Sequence, residues 1–180
     1  MIVGLYSSVP QSGKSTVAKV FIEEGFELLS LASPVKESLE VVLKGLGVPD
    51  YKEYLYGSKK DKAIPGLYVT GGYLMSTYAT VFMRDIIYEG TWLDILKKKI
   101  EPGKNYVVDD MRFPNEYLYF DVRVRLYRPS RLLEGHKRYG KSEGQLDNFS
   151  FDYTIMNDGT EDELVLRTQN IIKDLSNKGK

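Results

Sequence analysis

Five short apolar runs punctuate the chain: Ile2–Tyr6, Phe26–Leu31, Tyr106–Asp109, Val122–Tyr127 and Tyr153–Met156. Runs this short, rich in β-branched and aromatic residues, read as strands. Between most of them apolar residues return every three or four positions, the period of a helix buried on one side. Val17 to Glu24 follows that period and stops at Gly25, and Pro34 to Leu46 carries Val35, Leu39, Val42, Leu43 and Leu46 before Gly47. Leu74 to Tyr88 and Thr91 to Ile100 read as further helices, the second ending before Pro102-Gly103. A last helix opens on a capping box, Thr160 with Glu163, and runs through Ile171 to Leu175, leaving a tail from Ser176 expected to fray. Strands alternating with helices predict an α/β fold, a five-stranded parallel sheet with helices on both faces. Ligands of such sheets sit outside the carboxyl ends of the strands. The stretch 49–72 has weak patterning and mixed charge, and is expected to be a mobile insertion.

Length and charge narrow this picture. With 180 residues a single domain, 1–180, is expected. Lys+Arg and Asp+Glu both number 25, so global charge favours neither nucleic acid nor a membrane surface as partner. Cysteine is absent, which excludes disulfides and thiolate metal sites and suits a cytoplasmic protein. No run approaches the ~20 apolar residues of a membrane span, and Ile2–Tyr6 is too short for a secretory signal. A homodimer stays open.

The first strand is followed by Gly13-Lys14-Ser15-Thr16, which opens the first helical pattern. Those letters alone would occur by chance in roughly one chain in ten of this length. Between a strand and a helix they are what a phosphate-binding loop requires. Backbone N–H groups of Gln11, Ser12, Gly13, Lys14, Ser15 and Thr16 would ring the phosphates, Lys14 would reach the outer oxygens, and the Ser15 hydroxyl would hold Mg²⁺. Pro10 offers no N–H to the cradle. The full loop pattern has glycine where this chain has Ser8, so backbone strain of about 1–3 kcal/mol is expected there if that position needs positive φ.

A second cluster follows the strand Tyr106–Val108: Asp109, Asp110, Met111, Arg112, Phe113, Pro114, Asn115 and Glu116. A carboxylate leaving a core strand beside a phosphate loop suits the hydration shell of Mg²⁺. Only one of Asp109 and Asp110 can face the loop, because successive strand side chains alternate. Arg112 has the bidentate geometry for an acceptor phosphate. The block Asp110-Met111-Arg112-Phe113-Pro114-Asn115-Glu116 resembles one found in bacteriophage deoxynucleoside monophosphate kinases. Ala32-Ser33-Pro34-Val35-Lys36-Glu37, Arg84 followed by Trp92, Ser142-Glu143, Phe151-Asp152-Tyr153 and Asn157-Asp158-Gly159-Thr160 resemble further blocks of that family, in the same order.

The resemblance implies a P-loop kinase fold that transfers the γ-phosphoryl of ATP, with Mg²⁺, to a deoxynucleoside or nucleoside monophosphate. It implies an acceptor-side insertion over about 49–100 and a lid over about 128–148. Catalysis would fall to Lys14, Asp110, Arg112 and Arg128, with Ser15 and Asp110 at the metal and Arg131 on the donor phosphates. Lys36, Tyr78, Arg84, Trp92, Glu116 and Glu143 would contact the acceptor, an aromatic among them stacking on its base. If the chain is phage-encoded, the host cytoplasm is its compartment. The family's acceptor segment carries arginine, glutamine and glutamate where this chain has Gly72, Ser76 and Val81, which predicts a changed base preference or lost activity. His136, the only histidine, lies six residues before Ser142 and reads as a structural or solvated residue. Two other readings share the loop: a kinase for another small phosphorylated acceptor, of dephospho-coenzyme A or phosphomevalonate type, and a non-catalytic nucleotide-binding protein.

Overall fold

β1 (Ile2–Tyr6) is buried along its whole length, as a continuous apolar run demands of a strand covered on both faces. In the computed structural model, which describes residues 1–132, 142 and 144–178, it lies at the centre of a five-stranded parallel sheet. The other strands are β2 (Glu27–Leu29), β3 (Tyr106–Val108), β4 (Val122–Tyr127) and β5 (Tyr153–Met156), in the order β2-β3-β1-β4-β5. All five expected strands form, β2 and β3 shorter than their apolar runs. Val3 pairs with both Val107 and Val122, so the connections diverge to either side of β1 and leave a crevice at its carboxyl end.

The helices are α1 (Lys14–Glu23), α2 (Ala32–Gly45), α3 (Tyr51–Leu55), α4 (Gly71–Ser76), α5 (Thr91–Lys97), α6 (Pro114–Tyr119), α7 (Pro129–Leu132) and α8 (Glu161–Lys178). The chain divides into two compact units. Among the described residues the first comprises 1–30, 100–132 and 144–178, and the second 31–99 with Ser142.

In the first unit α1 and α8 cover one face of the sheet. Val3, Leu5, Val124 and Leu126 meet Val17, Phe21, Leu164 and Ile172 there. The alternation of β4 sends Arg123 and Arg125 to the opposite face. Arg123 lies over the Tyr117 ring of α6 at 4.8 Å, and Arg125 over Phe151 at 4.3 Å. One Arg125 nitrogen also donates to the carbonyls of Leu146, Asp147 and Phe149 at 2.9, 2.8 and 3.2 Å. Gly4 is small for a reason: a Cβ there would lie 2.3 Å from the Phe120 ring and 2.9 Å from the Met111 sulfur. The Thr160–Glu163 capping box forms as expected, each backbone N–H bonded to the other side chain at 3.0 and 3.2 Å. Ser176 to Lys178, expected to fray, continue α8.

The second unit packs α2 against α3, α4 and α5. The stretch 49–72 is more structured than its pattern suggested. It contains α3, and it buries Tyr54, Leu55 and Ile64. Ile64 N–H donates to the Val69 carbonyl at 2.8 Å. The expected helix from Leu74 to Tyr88 is helical but not uniformly α: α4 passes into a π-helical run, Thr77–Ile87, closed by Tyr88 N–H on the Met83 carbonyl at 2.8 Å. No helix among the described residues is long and apolar enough to cross a membrane.

Candidate active site

The crevice at the carboxyl end of β1 holds a cavity of about 450 Å³, walled by Gln11 to Thr16, Arg128, Asn157, Gly159, Glu161 and Leu164. Three strand ends build it: the loop leaves β1, Arg128 follows β4 and Asn157 follows β5. The six cradle residues expected from the sequence therefore line one cavity, with Lys14 the first residue of α1.

The loop's conformation is held from outside. Gly13 has φ +97°, and a Cβ on it would meet Asn157 Nδ2 at 2.6 Å and Leu164 Cδ2 at 2.8 Å. Gln11 also has positive φ, 53°, whereas Ser8 does not. The backbone strain expected at Ser8 thus falls on Gln11, three residues on. Its carbonyl accepts from Arg128 Nη1 at 2.8 Å. The next carbonyl, of Ser12, accepts from Asn157 Nδ2 at 2.8 Å in a buried contact. Asn157 is itself fixed by its N–H on the Tyr127 carbonyl at 2.8 Å. Sequence reasoning placed Asn157 in a family-like block but gave it no role.

The cavity suits a polyphosphate. Positive φ at Gln11 and Gly13 but not at Ser12 gives the alternating backbone of an anion nest. The Ser12 hydroxyl is buried at 1% exposure and finds no hydrogen-bond partner among the described residues. A buried hydroxyl in a cradle wall is satisfied by an oxygen-rich ligand. Ser15, exposed at the start of α1, presents the hydroxyl suited to Mg²⁺. No cluster of three or more acidic or histidine side chains forms a metal cage among the described residues. Mg²⁺ commonly uses one or two protein oxygens and completes its shell with substrate phosphates and water.

The Asp110–Glu116 block leaves β3 beside the loop, since Val108 pairs with Gly4. The Asp110 carboxylate accepts from the Ser30 hydroxyl at 2.7 Å and does not line the cavity. Arg112 is exposed. Glu116, expected at the acceptor, is instead 2% exposed and turned back on its own backbone. Its Oε2 accepts from the N–H groups of Arg112 and Phe113 at 2.6 and 3.0 Å, which fixes the turn that presents Arg112.

The remaining expected acceptor residues belong to the second unit. Lys36 lies 4.9 Å from the Tyr56 ring centre. The Tyr56 hydroxyl donates to Glu40 at 2.5 Å, and burial with that bond pushes the phenol up to about 12. Arg84 is 5% exposed on the π-helical run and pairs with Glu89 at 3.4 Å. Trp92, expected as a stacking face, is a core residue at 4% exposure whose indole N–H donates to the Ala79 carbonyl at 2.9 Å. Tyr78 is half-buried, 6.1 Å from both the Phe82 and Trp92 rings. Arg131 falls on α7, where the backbone alone is described. Glu143 and His136 lie outside the described residues.

No family model matches this chain, and no curated protein matches it. Solved structures do. The crystal structure of TT1252 from Thermus thermophilus shares 14% identity over 97% of each chain, with a TM-score of 0.55. A dephospho-CoA kinase from Campylobacter jejuni is 15% identical over 96% of each chain, at a TM-score of 0.49. The likeness to the Thermus protein, at 14% identity, speaks to architecture only. The parallel sheet in the order β2-β3-β1-β4-β5, with helices on both faces and the Gln11–Thr16 loop at the carboxyl end of its central strand, is the α/β architecture expected from the sequence.

Proposed function

We propose that this chain is a Mg²⁺- and ATP-dependent kinase that phosphorylates a deoxynucleoside or nucleoside monophosphate. One observation carries the donor half: the nest of Gln11 to Thr16, with its left-handed Gly13 and buried Ser12 hydroxyl, walls a cavity at the carboxyl end of the central strand. The acceptor half is supported by the Asp110–Glu116 block, in which buried Glu116 holds the backbone of exposed Arg112.

Gln11 to Thr16 and Ser15 would hold the nucleotide and its ion, and ATP with Mg²⁺ supplies the transferable phosphoryl and the charge that offsets its oxygens. The chain's own contribution is alignment and cancellation of repulsion between two anionic substrates. A phosphate monoester has a second pKa of about 6, so an acceptor is already largely dianionic at neutral pH and needs little proton abstraction. Lys14 and Arg128 supply positive charge at the cavity, and Arg112 offers a planar fork for the acceptor phosphate.

The acceptor segment favours a base preference unlike that of the phage enzymes it resembles. Where they carry arginine, Gly72 is buried and its N–H donates to the Lys60 carbonyl at 2.9 Å. A Cβ on neighbouring Gly71 would come 1.9 Å from the Tyr54 carbonyl oxygen. Glycines are built into this packing.

ADP release from Mg-ATP, measured across the four common dNMPs, their ribose counterparts, modified pyrimidine nucleotides and dephospho-coenzyme A, tests the proposal. Acceptor-dependent ADP with a nucleoside monophosphate is expected. ADP formed with dephospho-coenzyme A alone would replace the acceptor class. Binding of ATP without ADP from any acceptor would leave a nucleotide-binding protein.

A further inference from the structure

Two adjacent carbonyls of the loop, those of Gln11 and Ser12, are tied by side chains from two different strand ends. The peptide bonds are trans. In a trans peptide the C=O of one residue and the N–H of the next point in opposite directions. A donor on the Ser12 carbonyl therefore sets the direction of the Gly13 N–H, and a donor on the Gln11 carbonyl sets that of Ser12. Arg128 can fill its role in part by charge. Asn157 is uncharged, and its amide is 2.8 Å from the Ser12 oxygen.

Asn157 also limits where the loop can lie. It is 9% exposed, its backbone is bonded to Tyr127 at the end of β4, and its side chain leaves no room for a Cβ on Gly13. A side chain so fixed, pressing on the one residue with φ +97°, holds the peptide plane between Ser12 and Gly13 in a single orientation. Left untied, that plane would be free to rotate, because glycine tolerates both signs of φ. An N–H that must first be turned toward an anion binds it more weakly than one held there.

We propose that Asn157 is a positioning residue of the phosphate cradle, aiming the Gly13 N–H at a bound phosphate oxygen through the Ser12 carbonyl. The inference rests on the phosphate-loop reading and is independent of the acceptor.

Tripolyphosphate with Mg²⁺ probes the cradle without a base or an acceptor. Its affinity is measured by titration calorimetry for wild type, Asn157→Leu and Asn157→Asp, alongside each protein's melting temperature and the amide shift of Gly13 on titration. Leucine removes the donor at similar volume; aspartate places an oxygen where the donor stood, and serves if the leucine variant does not fold. Asn157→Leu is expected to bind about ten- to a hundredfold more weakly, the worth of one oriented hydrogen bond to a charged group, and Asn157→Asp more weakly still, because its carboxylate in the cavity wall also repels the anion. The Gly13 amide shift on titration is expected to shrink while the proteins stay folded. Wild-type affinity and an unchanged Gly13 shift in a folded variant would overturn the inference and leave Asn157 a packing residue. Wild type that does not bind tripolyphosphate would overturn the phosphate-loop reading together with it.

Discussion

Gly13→Ala tests the loop geometry most sharply, because two separate costs fall on one atom. At φ +97° an alanine carries the left-handed penalty of about 1–2 kcal/mol. Its methyl would also stand 2.6 Å from Asn157 Nδ2 and 2.8 Å from Leu164 Cδ2. Both neighbours are held, Leu164 in the core and Asn157 by its backbone bond, and overpacking of this kind costs about 1–3 kcal/mol. The sum is about 2–5 kcal/mol, or a fall in Tm of about 4–20 °C at 2–4 °C per kcal/mol. Gly25 supplies the control: its φ is +88°, and a Cβ there would meet nothing within 4 Å. Gly25→Ala should therefore show the conformational cost alone, about 2–8 °C. Scanning calorimetry of the two variants side by side isolates the steric part as their difference. Equal losses would refute the claim that Asn157 and Leu164 clamp the loop.

Glu116→Leu removes the acceptor of two backbone N–H groups at a buried site, for about 2–6 kcal/mol at about 1–3 kcal/mol per orphaned donor, so chemical denaturation should show a clear loss; a change under 1 kcal/mol would contradict it. Arg112→Ala should raise the acceptor KM or lower kcat far more than it weakens ATP binding, and steady-state kinetics showing equal losses would move Arg112 to the donor side. Burial, then its hydrogen bond to Asp147, raises the Tyr6 phenol above its ordinary value of 10.0. A group whose folded pKa is raised stabilises fully below the unfolded value and loses that contribution as pH climbs toward the folded one. Wild type should therefore lose stability above pH 10 more steeply than Tyr6→Phe, and parallel melting curves there would refute it.

The sheet was legible because each strand announced itself independently. Ile2–Tyr6 is apolar throughout, and Val122–Tyr127 alternates so strictly that its arginines had to share a face. The Thr160–Glu163 box marked the start of the last helix to the residue. What escaped were features set by contacts distant in sequence. Gln11 rather than Ser8 takes positive φ, and its carbonyl is bonded by Arg128, 117 residues away, a contact that no local pattern announces. Asn157 reaches Ser12 across 145 residues. Trp92 looked like a stacking face because an aromatic's burial is decided by what packs on it, here the Ala79 turn. The π-helical run 77–87 has apolar residues at spacings that an α-helix also fits, so periodicity does not separate the two.

If the loop on β1 is the donor site of a phosphoryl transfer, Lys14 is its most exacting test. ADP formation from Mg-ATP with the preferred nucleoside monophosphate, measured for wild type and for Lys14→Ala at matched folded protein, addresses it directly. Acceptor-dependent ADP in wild type and its loss in the folded variant is the predicted result. Near-normal turnover by Lys14→Ala would contradict the account.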